Sequence, residues 1–457
     1  MAPSDLRPAN VHCRIEVSHL NKRLLGAALT GSLGGFVFGY DLGALSSATQ
    51  SLRSQFDLAP AVFGPTISSS IWGTVLGSLL AGRLADGMKR GHLIAGCALL
   101  YAIAGIGATL PPRPEWAIFL TMRFLCGMAI GGFTVGCPLY LSELAPVALR
   151  GRVVSLFQIQ VGLGVVVAFS AGLMFTHFKP TGEAWRLCLG TGVIPAAVVC
   201  LVMLFQSRRE PKLRIRPNPG RLMIVSRSHG DKSADYERLF CRSNARPILL
   251  ATSVAIFNQL SGVNILLLYM LDILTGAGIS FALGHRYTVL ISCLSLAMTL
   301  LGMVSVDHWG RKPLLLIGCA GMAVCLLCLG LSIPHRFASS LYLLILIVYN
   351  VFFAFSQGTV VWVYLSELFP PGIRGAGQGY AASVHWITNA VLVSIFPIIQ
   401  HVSSVDVFYF FALMMVLQIG VIWRWYPETR GTTLGSFAGV VAHNETQTSC
   451  VLHEEIG

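Results

Sequence analysis

The sequence predicts an all-α membrane protein with twelve transmembrane helices arranged as two six-helix halves. The 457-residue chain is 54% hydrophobic and only 11% charged, whereas soluble proteins carry about 25% charged residues. Apolar runs long enough to cross a bilayer recur along the whole chain. One motif, SELAPVALRG at 142–151, returns as SELFPPGIRG at 366–375. These observations together predict a polytopic membrane protein built from a duplicated unit.

The apolar runs form two groups, which we number spans 1 to 12. Spans 1 to 6 cover approximately 24–46, 62–85, 92–110, 116–140, 152–176 and 186–206. Spans 7 to 12 cover approximately 247–275, 286–306, 313–332, 340–365, 376–400 and 405–426. Runs of this length are too continuous for barrel strands, so we expect helices.

The basic residues predict the orientation of the spans. They cluster before span 1 at Lys22, between spans 2 and 3 at Lys89 and Arg90, and in the segment 208–246. By the positive-inside rule both termini are cytoplasmic. The predicted organisation is a cytoplasmic segment 1–23, a half at 24–206, a cytoplasmic loop 207–246, a half at 247–426 and a cytoplasmic tail 427–457. Much of the net charge of +12 comes from the segment 208–246, which indicates a cytoplasmic loop near anionic lipid and not nucleic-acid binding.

The duplication has a mechanistic implication. The turn DGMKR at 86–90 also has a counterpart, DHWGRK at 307–312. Parallel halves related by an axis along the membrane normal imply a binding site between them near the midplane, and alternating access to that site.

Asp41 lies in the apolar, glycine-rich stretch Gly31–Ser47. An ionisable group at that depth is costly and is usually functional. At 1.5 Å per residue, Arg123 of span 4 lies at a similar depth. An arginine within reach favours the ionised acid, whereas apolar burial favours the protonated acid. A change in their separation would therefore bind or release a proton; the alternative is a static ion pair that packs span 1 on span 4.

Seven segments together resemble the sugar porter family of the major facilitator superfamily. They are GGFVFGYD at 34–41, MRFLCG at 122–127, SELAPVALRGR at 142–152, NQLSGVN at 258–264, VDHWGRKPLLLIG at 306–318, WVYLSELFPPGIRG at 362–375 and PETRG at 427–431. The resemblance runs from about Leu24 to Gly431. It implies the major facilitator fold, alternating access and a sugar or polyol substrate. An acid at the place of Asp41 implies proton symport, because facilitative relatives carry an amide there.

The candidate substrate site combines amides with aromatic side chains. Sugars present hydroxyls that both donate and accept hydrogen bonds, so amides suit them, and an aromatic face covers their C–H side. Any one amide could instead join two helices. The candidates are Phe38, Gln158, Asn258, Gln259, Asn264, Tyr269, Gly358, Trp362, His385, Trp386 and Asn389. The four amides on spans 5 and 7 lie at positions that match the family. Among the candidates Trp362 is the expected platform, Trp386 a supporting wall and Tyr269 an outer gate.

The chain departs from the family pattern at three positions of this site. His385 stands where Gln or Asn is usual, Ser295 where Asn is usual, and Asn258 where Gln is commoner. These changes imply an altered hydroxyl pattern, so the sequence does not assign the substrate to glucose.

Charged residues around the repeated turns predict a cytoplasmic gate. The candidates are Asp86, Arg90, Glu143, Arg150, Arg152, Asp307, Arg311, Glu367, Arg374, Glu428 and Arg430. Such charges can form a network between the halves that breaks on opening, although exposed pairs are individually weak and could be ordinary surface charge.

The sequence therefore predicts a transporter that imports a monosaccharide or polyol by proton symport in the plasma or bacterial inner membrane. The alternatives are a facilitative sugar uniporter and a non-transporting sugar sensor. No phosphate loop, nucleophile elbow or metal-ligand spacing is found, so we expect no enzyme, cofactor or metal. A monomer is expected.

Overall fold

The computed structural model describes residues 22–111, 115–145, 150–178, 183–209, 239–334, 338–369, 373–402 and 404–429. Most of the predicted central loop and the tail from residue 430 lie outside these ranges. In the first half, span 1 comprises Lys22–Gly31 and Leu33–Gln55, span 2 is Pro60–Gly87, span 3 is Arg90–Thr109, span 4 is Trp116–Leu144, span 5 is Arg150–Phe178, and span 6 comprises Ala184–Gly190 and Val193–Arg209.

The second half repeats this arrangement after a short 3-10 turn at Arg242–Asn244. Span 7 comprises Ala245–Leu260, Val263–Leu268 and Met270–Gly276, span 8 is Phe281–Trp309, span 9 is Arg311–Ser332, span 10 comprises Ser339–Phe355 and Gln357–Leu368, span 11 is Arg374–Val402, and span 12 is Ser404–Trp425. We call the end of the bundle at Lys22 and Trp425 the terminal end, and the opposite end the distal end.

Within the described ranges, ten helical stretches are long and apolar enough to cross a membrane. Spans 1 and 2 are not among them, although their helices are 23 and 28 residues long in their main segments. Both are rich in Gly, Ser and Thr, which lower their apolarity. Small residues are typical of tightly packed interfaces between membrane helices, because they let two backbones approach closely.

Span 1 packs on span 5 through such a stripe, formed by Gly35, Gly39 and Gly43. A Cβ atom at Gly39 would lie 1.9 Å from the carbonyl oxygen of Val161. A Cβ at Gly35 would lie 2.6 Å from the carbonyl oxygen of Phe157. The two backbones are therefore too close for any side chain at these positions, which fixes the register of span 1 against span 5.

The two halves meet at the distal end, in a set of contacts that we call the distal seal. Ser46 Oγ donates to the carbonyl oxygen of Leu267 at 2.8 Å, and Gln50 Nε2 donates to Asp272 Oδ1 at 3.0 Å. The second pair of spans is joined by the hydroxyls of Ser68 and Ser394, 2.6 Å apart. Spans 1 and 7, and spans 2 and 11, thus close this end of the bundle.

Span 7 is interrupted where the predicted apolar run is continuous. Gly262 has a φ of +83°, a conformation that favours glycine. The freed backbone is satisfied by side chains: the Tyr349 hydroxyl donates to the Ser261 carbonyl at 2.8 Å, and Ser261 Oγ donates to the Asn258 carbonyl at 2.6 Å. Span 10 is interrupted at Ser356. Broken helices of this kind form substrate sites in many transporters.

Candidate functional site

A cavity of about 150 Å³ lies between the halves and is bordered by both interrupted spans. That is room for several water molecules, and so for a small organic solute. Nine of the predicted substrate-site residues line it: Phe38 and Gln158 from the first half, and Asn258, Gln259, Asn264, Gly358, Trp362, His385 and Trp386 from the second. Most of the polar lining therefore comes from the second half.

The amides of span 7 form a connected network at this cavity. Asn264 Nδ2 donates to Gln259 Oε1 at 2.9 Å, and Gln259 Nε2 lies 2.6 Å from His385 Nε2. Asn258 Nδ2 donates to Gln357 Oε1 at 3.2 Å. The break at Gly262 brings Asn264 back towards Gln259 although they lie on different helical segments. A substrate would meet an organised set of donors and acceptors here.

Aromatic rings form another part of the cavity wall. The rings of Trp362 and His385 have centroids 5.0 Å apart, those of His385 and Trp386 5.1 Å, and those of Trp386 and Phe38 5.5 Å. Phe38 belongs to span 1, so this ring contact joins the two halves. Such a wall can cover the C–H side of a sugar.

Two predicted substrate-site residues lie outside the cavity lining. Tyr269 is buried at the distal seal, where its ring packs on Phe396 at 4.9 Å and Phe63 at 6.1 Å. Asn389 is buried one turn from His385, and both of its amide atoms lack a hydrogen-bond partner among the described residues. Their roles stay predictions.

The cavity also contains polar residues that the sequence reasoning did not single out. They are Thr288, Ser292, Thr299, Asn350 and Gln357. In the sequence, Gln357 is part of FSQG next to the break of span 10, and nothing in these four residues alone marks it, because the break is seen only in the assembled structure. Ser295, one of the three departures from the family pattern, lines the cavity as well.

Asp41 and Arg123 form a buried ion pair beside the cavity. Arg123 Nη1 donates to Asp41 Oδ1 at 2.7 Å and Nη2 donates to Oδ2 at 2.9 Å. The hydroxyl of Tyr101 on span 3 donates to Oδ1 at 2.8 Å. Asp41 is only 2% exposed and Arg123 only 3%, so breaking the pair without supplying a proton or water would leave an unpaired buried charge, which is strongly destabilising.

The ion pair is not part of the cavity wall. Phe38 and Leu42 of span 1 line the cavity, whereas Asp41, on another face of the same helix, points to spans 3 and 4. Tyr101 was not identified from the sequence, because a tyrosine on an apolar helix gives no signal of the acid that it contacts.

Several predicted gate residues pair at the terminal end. Arg90 Nε donates to Glu143 Oε1 at 3.0 Å within the first half, and Arg311 Nη2 donates to Glu367 Oε1 at 2.9 Å within the second. Glu428 accepts the first backbone N–H groups of span 9, those of Arg311 and Lys312, at 2.9 Å each. A carboxylate there stabilises the helix N-terminus.

These three contacts each lie within one half of the protein. The remaining gate candidates cannot be placed in the same way: the side chains of Asp86, Arg150, Arg152, Asp307 and Arg374, and the whole of Arg430, lie outside what the structure describes.

The family profile described as "Sugar (and other) transporter" matches residues 27–207 and 222–440. The chain belongs to this family. It is 31% identical to the glucose transporter GlcP of Staphylococcus epidermidis over 89% of this chain and 94% of that protein. It is 26% identical to the D-xylose-proton symporter of Escherichia coli K12, over 90% and 94% of the two chains.

A solved structure of XylE, the xylose transporter of Escherichia coli in an inward-open conformation, is similar to the described chain. The TM-score is 0.74 at 26% identity, covering 90% of this chain and 98% of that one. The prediction of a twelve-helix major facilitator fold is therefore confirmed, as is the predicted resemblance to sugar porters. This sugar transporter family member is an integral membrane protein and a transporter, not an enzyme.

Proposed function

We propose that this protein imports a monosaccharide, either a hexose or a pentose, or a polyol, by proton symport and alternating access. The observation that carries the proposal is the cavity between the halves, where a network of amides faces an aromatic wall. Amides can both donate to and accept from the hydroxyls of a sugar, and the rings cover its apolar face. The names of the relatives, a glucose transporter and a D-xylose-proton symporter, support the substrate class.

The Asp41–Arg123 pair supplies a mechanism for coupling. In the described state two bonds from Arg123 and one from Tyr101 hold the carboxylate charged. When the halves move and the pair separates, the acid takes up a proton because an unpaired charge is too costly at this depth. When the pair closes again, the proton is released. With the terminal end in the cytoplasm, as the basic residues predict, each cycle carries a sugar and a proton into the cell.

Because the distal seal is closed, we assign the described conformation to the half of the transport cycle in which the cavity opens towards the terminal end. Spans 1 and 7 and spans 2 and 11 block the distal end. A second space of about 30 Å³ adjoins the cavity and shares Gln158, Thr299 and Trp362 with it. It is lined by spans 4, 5, 8, 10 and 11, and we assign it to the exit path towards the terminal end.

The test is sugar-induced alkalinisation outside energy-starved cells that express the protein, across hexoses, pentoses and polyols. Wild type should give alkalinisation with at least one compound. Asp41→Asn should abolish both this signal and accumulation, while exchange of labelled for unlabelled sugar continues because exchange needs no net proton movement. Full accumulation in Asp41→Asn would refute proton coupling through this acid.

The second candidate is a facilitative uniporter, and one observation favours it. The Asp41 carboxylate is fully engaged by Arg123 and Tyr101 and does not line the cavity, as expected of a static pair that packs spans 1, 3 and 4. Sugar flux without proton movement would establish this alternative.

A further inference from the structure

A buried row of amides leads from the cavity through the second half to span 12. Asn258 on span 7 bonds to Gln357 at the start of the second segment of span 10, at 3.2 Å. Gln357 Nε2 donates to Gln418 Oε1 on span 12 at 2.8 Å. All three side chains are at least 96% buried. Gln357 also lines the cavity, whereas Gln418 does not, and the bond between them is not used in the function proposed above.

The direction of this row is set by the sulfur of Met415, because the thiol of Cys319 can donate as well as accept. Gln357 Nε2 lies 3.3 Å from Cys319 Sγ and 3.7 Å from Met415 Sδ. A thioether accepts hydrogen bonds and cannot donate them. The nitrogen end of the Gln357 amide must therefore face Met415, because turning the amide over would place its oxygen against the sulfur. The oxygen end of Gln357 then faces Asn258.

This orientation determines what Asn258 shows to the cavity. The Gln357 oxygen needs a donor, so the Asn258 nitrogen points to it and the Asn258 oxygen lies on the opposite edge of the amide. Gln259 Nε2 lies 3.5 Å from that oxygen, a weak contact that leaves acceptor capacity. Asn258 therefore offers its oxygen, a hydrogen-bond acceptor, to the cavity. Its side chain is one carbon shorter than that of the glutamine that is commoner at this position in the family.

Three of the four hydroxyl side chains that span 8 contributes to the same cavity have the same polarity; the fourth is that of Ser295. Thr288, Ser292 and Thr299 line the cavity, and each donates its only O–H to a backbone carbonyl of its own helix, at 2.8, 2.8 and 2.9 Å. A hydroxyl whose proton is used in this way offers only lone pairs to a ligand.

We propose that Asn258 and the three span 8 hydroxyls recognise substrate hydroxyls as hydrogen-bond donors, and that Gln357, oriented by Met415 and Gln418, is the positioning residue that imposes this polarity on Asn258. The inference rests on the proposed function, because it specifies how the same cavity reads a sugar. It predicts a preference that cavity shape alone does not. An analogue that can accept but not donate a hydrogen bond at the recognised position binds more weakly than the parent sugar.

Deoxy and deoxyfluoro analogues of D-glucose and D-xylose test this polarity. Fluorine accepts weakly and cannot donate, whereas hydrogen does neither. Dissociation constants are measured on the purified full-length protein, one hydroxyl position at a time. For wild type we expect at least one position at which both analogues bind about fivefold or more weakly than the parent sugar, the size of one lost neutral hydrogen bond, with fluorine no better than hydrogen.

Gln357→Leu frees the Asn258 amide to turn its nitrogen to the ligand. At the position found in wild type, the fluoro analogue should then bind about threefold or more tightly than the deoxy analogue. Gln206→Leu is the matched control, because its amide bonds to Thr30 between spans 6 and 1 at 2.6 Å and does not line the cavity; it should keep the wild-type ratio. If Gln357→Leu does not fold, Met415→Leu removes only the sulfur acceptor and should shift the ratio in the same direction.

The outcomes separate the two proposals. If no hexose, pentose or polyol of the panel above binds, the proposed substrate class is wrong and the polarity inference fails with it. If a parent sugar binds but every fluoro analogue matches it within about twofold, the substrate class stands and the acceptor role of Asn258 and the three span 8 hydroxyls is refuted. An unchanged fluoro-to-deoxy ratio in both Gln357→Leu and Met415→Leu would remove Gln357 from its positioning role.

Discussion

The hydroxyl of Tyr101 gives the sharpest test of how the buried acid works. Tyr101→Phe removes one hydrogen bond, 2.8 Å long, from the Asp41 carboxylate and leaves the ring that packs around it. A hydrogen bond to a charged group contributes about 1.5–3 kcal/mol. At 1.36 kcal/mol per pH unit, its loss should move the midpoint of proton-dependent transport by about one to two units.

The sign follows from which form the hydroxyl stabilises. Tyr101 donates, so it favours the ionised carboxylate. Without it, the midpoint of the proton-dependent transport step should move in the alkaline direction. The assay is initial sugar uptake into proteoliposomes as a function of external pH, with internal pH fixed.

Tyr40→Phe is the matched control for this measurement. Tyr40 is the residue before Asp41, but its hydroxyl pairs with Thr191 of span 6 at 2.5 Å and not with the acid. It should therefore leave the midpoint in place while losing a buried hydroxyl of the same kind. An unchanged midpoint in Tyr101→Phe, or an equal shift in both variants, would refute the view that the hydroxyl acts through Asp41.

Three further predictions follow from packing, from the distal seal and from the aromatic wall. Gly39→Ala should strongly reduce the yield of folded protein in detergent, because its Cβ would lie 1.9 Å from a backbone oxygen, whereas Gly26→Ala meets nothing within 4 Å and should have normal yield; equal yields would contradict the proposed packing of spans 1 and 5. Asp272→Ala removes the acceptor of Gln50 across the seal and should raise the labelling rate of a cysteine placed at Ser394 by about tenfold. Asp272→Asn keeps an acceptor and should raise this rate less. The same labelling rate in both variants would contradict the role of this hydrogen bond in the seal. Trp362→Leu should weaken sugar binding by about three- to tenfold through loss of the aromatic face, whereas Trp423→Leu, at a side chain 74% exposed on the bundle surface, should not; similar losses in both would indicate a general defect.

The number, order and approximate limits of the spans could be predicted because hydropathy is a local property of the chain. A run of apolar residues must be covered by lipid or by other helices whatever its tertiary partners are. The interruptions could not be predicted, because they depend on distant partners. The gap at Ser261 is stable since Tyr349, from span 10, supplies the donor that its carbonyl lost.

The same limit applies to the candidate site. Asn258, Gln259 and Asn264 could be picked out as one polar cluster, since they lie within seven residues. Gln357 could not, because its significance lies in contacts with Cys319, Met415 and Gln418 on two other spans. An amide on an isolated helix looks the same whether it joins two helices or orients a third residue, and only the assembled structure separates the two.

Span 1 unites these features on one helix and suggests how they move together. Its glycine stripe fixes it to span 5, Phe38 and Leu42 reach the cavity, Asp41 pairs with spans 3 and 4, and Gln50 closes the distal seal against span 7. Opening the seal requires span 1 to move away from span 7. Because no side chain separates it from span 5, we expect spans 1 and 5 to move as one unit, so that the displacement is taken up against spans 3 and 4, where the ion pair lies. A movement that opens the cavity would then also pull Asp41 from Arg123, and sugar access and protonation would be coupled through the rigidity of a single packed pair of helices.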